Sequence, residues 1–492
     1  MKFQPTAEKG ATTIRLVDGS LNKFVDRVVA QELHIGTGLG PKATPSKAKE
    51  SPSKIGGDTS DKLLTRRKLI LLMRKVVSVS KQNKLSSIAL DWKEIRALAP
   101  QEISDADLGE LSGTALVMAD YEHNTYKSKP KEGFQSVKVA AVVNISIAGK
   151  EGFWRGQLIA EEVNACRELC NIPGGDMVPK TLANAAKKAV AGTKTTVQVL
   201  GRREMEKLGM GAILGMARGS AEEPQFIVME YWGAGKNKGS FISKPLVLVG
   251  KGVTFDTGGL NIKGGEHMYE MHMDMSGGAA VIHTLALASK LKLNVNLIGL
   301  VPAIENGPAS GAVRPGDILT SLSGKTIEVL NTDAEGRVIL ADGVTYAKRY
   351  NPAAVVDVAT LTGASLVALG TEASGFMTNE DDKIPMIMEL AEKSGDYMWP
   401  FPAWEEYEEM VKGTFGDISN IPASGNSRYG GVIAGGMFIR EFAKELNCLW
   451  VHIDMAPRMT AHAHEFLSKG AAGAPVRFLL ALAESFQNTV VK

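Results

Sequence analysis

From residue 195 onward the chain alternates short, almost wholly apolar runs with longer stretches of helical periodicity. The runs 195–200, 225–231, 245–250, 293–301, 327–331, 353–359 and 449–454 predict strands, and 276–290, 336–350, 404–412, 432–447 and 474–486 predict helices. Strands apolar on both faces and separated by helices predict a mostly parallel, doubly wound α/β sheet covered on both sides. Ahead of it, 11–17, 86–91, 114–120 and 136–146 predict short strands among helices, a smaller α/β domain. Residues 63–79, LLTRRKLILLMRKVVSV, predict a helix with a core-facing stripe and a cationic outer face. A helix over 154–170 is broken by Asn171-Ile172-Pro173-Gly174-Gly175. The expected layout is an N-terminal domain at 1–153, a linker helix at 154–173 and a larger domain at 174–492. Residues 36–62, rich in Gly, Pro, Ser and Lys, predict a mobile surface loop.

Composition narrows the class without naming an activity. The 492 residues are 44% hydrophobic and 22% charged, ordinary for a globular protein and outside the disordered, collagen-like and coiled-coil ranges. No apolar run reaches the roughly 18 residues of a membrane span. The start, MKFQPTAEKGATTIRLV, lacks the apolar core of a secretory signal. Cys166, Cys170 and Cys448 are too few for a disulfide framework and lack C-x-x-C spacing, which suits a reducing, cytoplasmic location. Net charge is +2 but uneven: residues 1–150 hold 24 Lys+Arg against 16 Asp+Glu, and the remainder 32 against 38. A basic front half could draw nucleic acid, although a solvated basic face accounts for the same charge.

In an open parallel sheet, ligands bind beyond the carboxyl ends of the strands. After 245–250 come Lys251, Asp256 and Lys263; after 327–331 come Asp333, Glu335 and Arg337; after 353–359 come Thr360, Leu361 and Gly363. Asp274 precedes the predicted helix 276–290. Singly, an Asp in a glycine-rich loop is a turn former, and an exposed Lys is solvated or paired. Jointly, four carboxylates at one sheet edge repel unless cations lie among them. In an extended segment, Asp333 and Glu335 would point the same way. All-oxygen ligands suit Mg, Mn or Zn, and four carboxylates are enough for two ions with shared bridges. Beside a dication, Lys251 or Lys263 could lose its proton and ligate, or stay charged and polarise a carbonyl.

Other chemistries lack their motifs. His464-Glu465-Phe466-Leu467-Ser468 misses the second His of H-E-x-x-H. Gly324-Lys325-Thr326 has Leu319 where a phosphate loop needs its first glycine, and reads as a hairpin turn. Gly36-Thr37-Gly38-Leu39-Gly40 lacks dinucleotide spacing, and no G-x-S-x-G elbow occurs. A metal-dependent phosphoryl-transfer enzyme on the same sheet would therefore lack its phosphate loop.

The segment Asn331-Thr332-Asp333-Ala334-Glu335-Gly336-Arg337, the Lys251…Asp256…Lys263 block, the block Met268 to Met275 and the Trp404-Glu405-Glu406-Tyr407 region resemble the leucine aminopeptidase (cytosol aminopeptidase) family. The resemblance runs from about Ala165 to the C-terminus. It implies a two-metal exopeptidase that releases N-terminal leucine and other apolar residues from peptides. One ion would be held by Lys251, Asp256, Asp274 and Glu335, the other by Asp256, Asp333 and Glu335, with Zn, Mn, Co or Mg as candidates. Lys263 would stabilise the oxyanion, and Arg337 would hold a bicarbonate ion that takes a proton from the attacking water. Met271, Asn331, Thr360, Leu361 and Gly363 would line the substrate pocket. The resemblance also implies a homohexamer and, as an alternative role that some relatives have, nucleic-acid binding by the basic front half, a partner not expected here; the apolar pattern leaves no membrane partner expected. His272 stands where the family usually carries Lys or Arg, Thr257 where Ser is common, and Gly264 where Pro is frequent.

Overall fold

The computed structural model describes residues 1–17, 22–26, 31–37, 63–236, 244–423 and 429–488. The loop expected at 36–62 lies, from residue 38 onward, outside the described residues. The chain forms two compact units: Met1–Asn164 with Ala461–Lys469, and Ala165–Thr460 with Gly470–Lys492.

The first unit carries a six-stranded sheet in the order Lys2–Gln4, Val139–Val143, Ser87–Asp91, Thr12–Val17, Gln31–Gly36, Asn22–Asp26. Neighbours run parallel except the last pair. Helix Arg66–Gln82 buries Leu69, Met73, Val76 and Val77 and turns Arg67 and Lys68 outward, as its periodicity predicts. The strand expected at 114–120 is instead the end of helix Asp105–Asp120. Ser104 caps that helix and Asp105 and Asp107 occupy its first turn, all favourable at a helix N-terminus. Its apolar run is buried on every side because Gly109 and Gly113 bring it into backbone contact with helix Ile147–Cys170. A helix buried all round lacks the amphipathic period, so the run imitates a strand.

The second unit is built on a nine-stranded sheet. Its centre is parallel: Leu449–Asp454, Ala354–Ala359, Leu246–Gly250 and Asn296–Asn306. Antiparallel strands flank this centre on both sides. Every residue of Leu246–Gly250 and of Ala354–Ala359 is buried. Helices Ser276–Lys290 and Glu335–Ala347 both pack on these central strands. Gly250 abuts Gly277 and Gly278 of the first helix, and Val249 abuts Gly343 of the second, so the helices lie on opposite faces.

Two sequence readings change here. Strand 327–331 is Thr326–Val329, and it belongs to a separate three-stranded sheet with Asp317–Thr320 and Ile418–Ser419. The hairpin read at Gly324 joins the first two of these, with Gly324 at a φ of 88°. The helix expected at 404–412 is a 3-10 helix, Glu405–Val411. Only Val411 of it is buried, so no apolar stripe is there to hold a regular α-helix.

Candidate active site

The site lies where the parallel strands end. Lys251 follows Leu246–Gly250 directly, and its backbone is fixed on both sides by Lys251 N donating to Val358 O (2.9 Å) and Gly278 N donating to Lys251 O (2.7 Å). Its ammonium lies 2.8 Å from Asp274 Oδ2, 2.8 Å from Glu335 Oε1, and donates to Thr360 O at 2.9 Å. Asp256 ends the strand Gly252–Asp256. Its Oδ1 accepts from Gly258 N (2.9 Å) and Asn306 Nδ2 (2.8 Å), and its Oδ2 lies 2.9 Å from Lys263 Nζ. Lys263 also pairs with Asp333. Asp274 follows the turn Met271–Met273, and its Oδ1 accepts from Thr360 Oγ1 at 2.6 Å.

Asp333 and Glu335 do not lie in an extended segment, as the spacing suggested. Asp333 sits in a turn, with its N–H donating to Asn331 Oδ1 (2.8 Å), and Glu335 is the first residue of helix Glu335–Ala347. Turn and helix start still bring the two carboxylates together. One oxygen each from Asp256, Asp333 and Glu335 lies within 4.8 Å of the others. Gly336 permits the approach: a Cβ there would stand 2.6 Å from Lys251 Cε.

These residues fit a divalent cation. Among the described residues, Glu335 Oε2 is buried without any hydrogen-bond partner, while Glu335 Oε1 and Asp274 Oδ2 are held only by the Lys251 ammonium, at ion-pair distance. Four carboxylates face two ammonium groups. Burial raises the Asp333 carboxyl to about 7, helped by Asp256 and Glu335, and Lys263 opposes the shift. Burial likewise raises Asp274, and the Lys251 ammonium opposes it. Both lysines are raised as well, for the opposite reason. Burial disfavours their charge, but the surrounding carboxylates outweigh it and hold both above the ordinary range. An added cation relieves this surplus negative charge.

Arg337 lies one helical residue beyond Gly336 and is buried. Its Nη1 donates to Asn420 O at 2.8 Å, and its Nε has no partner among the described residues. Burial lowers its pKa to about 10, against the pull of Glu335 and Asp454. Buried and only partly paired, this cation suits an anion. Leu361 N donates to Asp454 Oδ1 (3.1 Å), and Thr362 caps the helix that begins at Gly363. Met271 and Asn331 are partly buried, on the turns that carry Asp274 and Asp333.

The sequence reading missed the polar residues behind this cluster. Asn306 holds both Asp256 and Thr332 O; Asp454 holds Leu361 and Thr362; Asn261 and Thr332 bond each other; Asn420 reaches across from a distant strand. Asp454 ends an apolar strand, as Asp256 does, which is the one signal that could have singled it out. The asparagines lie in unremarkable loops and strand ends.

Fold and site together define an α/β protein with a carboxylate cluster suited to divalent metal at the end of its parallel strands. The model of the cytosol aminopeptidase family, catalytic domain, matches residues 164–480, and the chain belongs to that family. A probable cytosol aminopeptidase of Azoarcus sp. (strain BH72) is 44% identical over 352 residues, 72% of this chain and 68% of that protein. One from Nitrosococcus oceani is 45% identical over 332 residues, 67% of this chain and 63% of its own length. Among solved structures, the bottromycin maturation enzyme BotP in complex with Mn superposes with a TM-score of 0.79 at 25% identity, covering 97% of this chain and 99% of that one. A tomato leucine aminopeptidase variant does so with a TM-score of 0.78 at 27% identity, covering 95% and 84%.

Proposed function

We propose that the protein is a two-metal aminopeptidase that removes N-terminal leucine and other apolar residues from peptides. The observation that carries the reading is the meeting of Asp256, Asp333 and Glu335, the first and last of them buried, with one Glu335 oxygen unpartnered among the described residues, in a chain of this family. Asp256, Asp274, Asp333 and Glu335 would hold the ions, and Lys251 would join them as a ligand once a cation displaces its proton. When bound, divalent ions supply Lewis acidity toward a peptide carbonyl and lower the pKa of water toward neutrality.

The chain's own residues do the rest. Lys263 sits on the more open side of the cluster, with 15% of its side chain exposed. Its fixed positive charge would oppose the negative charge that develops on the carbonyl oxygen. Thr360 holds Lys251 through its carbonyl and Asp274 through its hydroxyl, so it orients two of the proposed ligands at once. Arg337, with its unpartnered Nε, would hold a bicarbonate ion. Met271 and Leu361 present apolar surface, which favours an uncharged side chain on the substrate. The same reading carries a homohexamer and a cytoplasmic location. No described helix is long and apolar enough to cross a membrane.

Nucleic-acid binding by the first unit has no comparable support, and several of its basic groups are paired with carboxylates. Arg15 meets Glu94, Lys81 meets Glu122, Lys84 meets Glu132, and Arg155 meets Glu110.

The test is chelation followed by return of Zn, Mn, Co or Mg, with a panel of aminoacyl amides as substrates. Activity should vanish on chelation, return with metal, favour leucyl over charged residues, and fail on N-acetylated substrates. Hydrolysis that survives chelation, or that ignores acetylation of the N-terminus, would refute the reading.

A further inference from the structure

We propose that Asn420 is the positioning residue for the segment that carries Asp333 and Glu335, and that it sets how tightly the centre holds divalent metal. The proposal rests on the metal-dependent reading above and adds a residue outside the Asn331–Arg337 motif.

Asn420 is fully buried. It follows the two-residue strand Ile418–Ser419, which runs parallel to Thr326–Val329 with Ile327 opposite Ile418 and Glu328 opposite Ser419. Asn420 N donates to Glu328 O at 3.0 Å and carries the ladder one step further. The side chain is therefore held where the partner strand ends and the turn toward Asp333 begins.

There the amide uses both its ends. Its Oδ1 accepts from Leu330 N (2.8 Å) and Asn331 N (3.2 Å). Its Nδ2 donates to Asn331 O (2.6 Å) and Ala334 O (3.4 Å). One side chain thus holds the turn at its entry and at the residue just before Glu335. Among side chains of this size only an amide offers two donors and a two-lone-pair acceptor together. The turn has no ladder of its own, so its backbone groups need such a partner. The Asn420 carbonyl independently accepts from Arg337 Nη1, a main-chain bond that does not depend on the side chain's identity. Replacing the side chain therefore loosens the carboxylate segment and leaves the Arg337 contact in place.

The test uses the full chain, stripped of metal and titrated with Mn2+ by calorimetry, with leucine amide kinetics and thermal melting alongside. Asn420→Ala removes all four side-chain bonds. Asn420→Ser keeps a small polar group without adding charge and loses most of these bonds, so it covers the case in which the alanine variant does not fold. Asp396→Asn is the control: it weakens a buried pair with Arg477 elsewhere in the second unit. Both Asn420 variants should bind Mn2+ about 10–100-fold more weakly, as loss of a group that orients a ligand does, with kcat reduced and KM little changed. The Asp396→Asn control should keep wild-type affinity. A folded Asn420 variant with wild-type Mn2+ affinity would overturn the proposal, as would an equal loss in the control. If the wild-type chain binds Mn2+ but releases no amino acid from any peptide, the aminopeptidase reading falls, and the titrations still decide on Asn420.

Discussion

Lys251 and Lys263 each touch two of the four clustered carboxylates, yet their surroundings give them different work. Lys251 is enclosed, with 4% of its side chain exposed, and is fixed by a third bond to Thr360 O. Such a group is suited to a fixed place among the proposed ligands. Lys263 is less enclosed and reaches Asp256 and Asp333 from the open side, where a substrate carbonyl would arrive. Lys263→Ala should therefore lower kcat by about 10²–10³, the loss typical of one removed oxyanion donor. Metal content, measured by elemental analysis of the dialysed protein, should stay at the wild-type level. A variant that lost its metal would place Lys263 among the groups that hold the centre together.

At the level of elements, the helix Glu335–Ala347 has its first turn pressed against the end of a central strand. Glu335 opens the helix, where a carboxylate is favourable, and the next residue must be small because Lys251 passes beside it. Gly336→Ala would put a methyl group 2.6 Å from Lys251 Cε. Overpacking of this kind costs about 1–3 kcal/mol. Lys251 has little room to give way, being held by Asp274, Glu335 and Thr360. The expected outcome is a lower melting temperature together with weaker Mn2+ binding in a titration. A full-affinity Gly336→Ala protein would mean that Lys251 can rearrange without disturbing the carboxylates.

Across the whole molecule, stability should carry a pH signature from Asp342, which lies on the same helix. This carboxylate is buried and accepts from Ile213 N (3.0 Å) and Leu322 N (2.7 Å), so it ties three segments of the second unit together. Burial raises its pKa from 3.8 to about 7, even though backbone donors oppose the shift. The folded protein therefore keeps a proton that the unfolded chain gives up. Stability is greatest below the unfolded value, declines as pH rises through the interval between the two, and levels off above about 7. At 1.36 kcal/mol per pKa unit, the decline amounts to about 4 kcal/mol at most. Calorimetric melting between pH 5 and 8 should show this slope in the wild type and a flatter one in Asp342→Asn. Equal slopes would remove Asp342 as the source.

The apolar runs alone determined the alternation of strands and helices in the second unit, and with it the mostly parallel sheet, because a strand buried on both faces must be apolar on both. Their ends also pointed to Lys251, Asp256 and Thr360, since a parallel sheet delivers whatever follows each strand to one edge. Tertiary structure decided what local pattern could not. The run 114–120 became helix because glycine contacts buried it all round, and Thr326–Val329 joined a second small sheet. Asp333 and Glu335 met across a turn and a helix start rather than along a strand. The clamp from Asn420 links residues 89 positions apart, and its partners are backbone atoms. Backbone groups are the same in every residue, so a bond to them leaves no mark in sequence, and only the folded chain brings such an asparagine to its place.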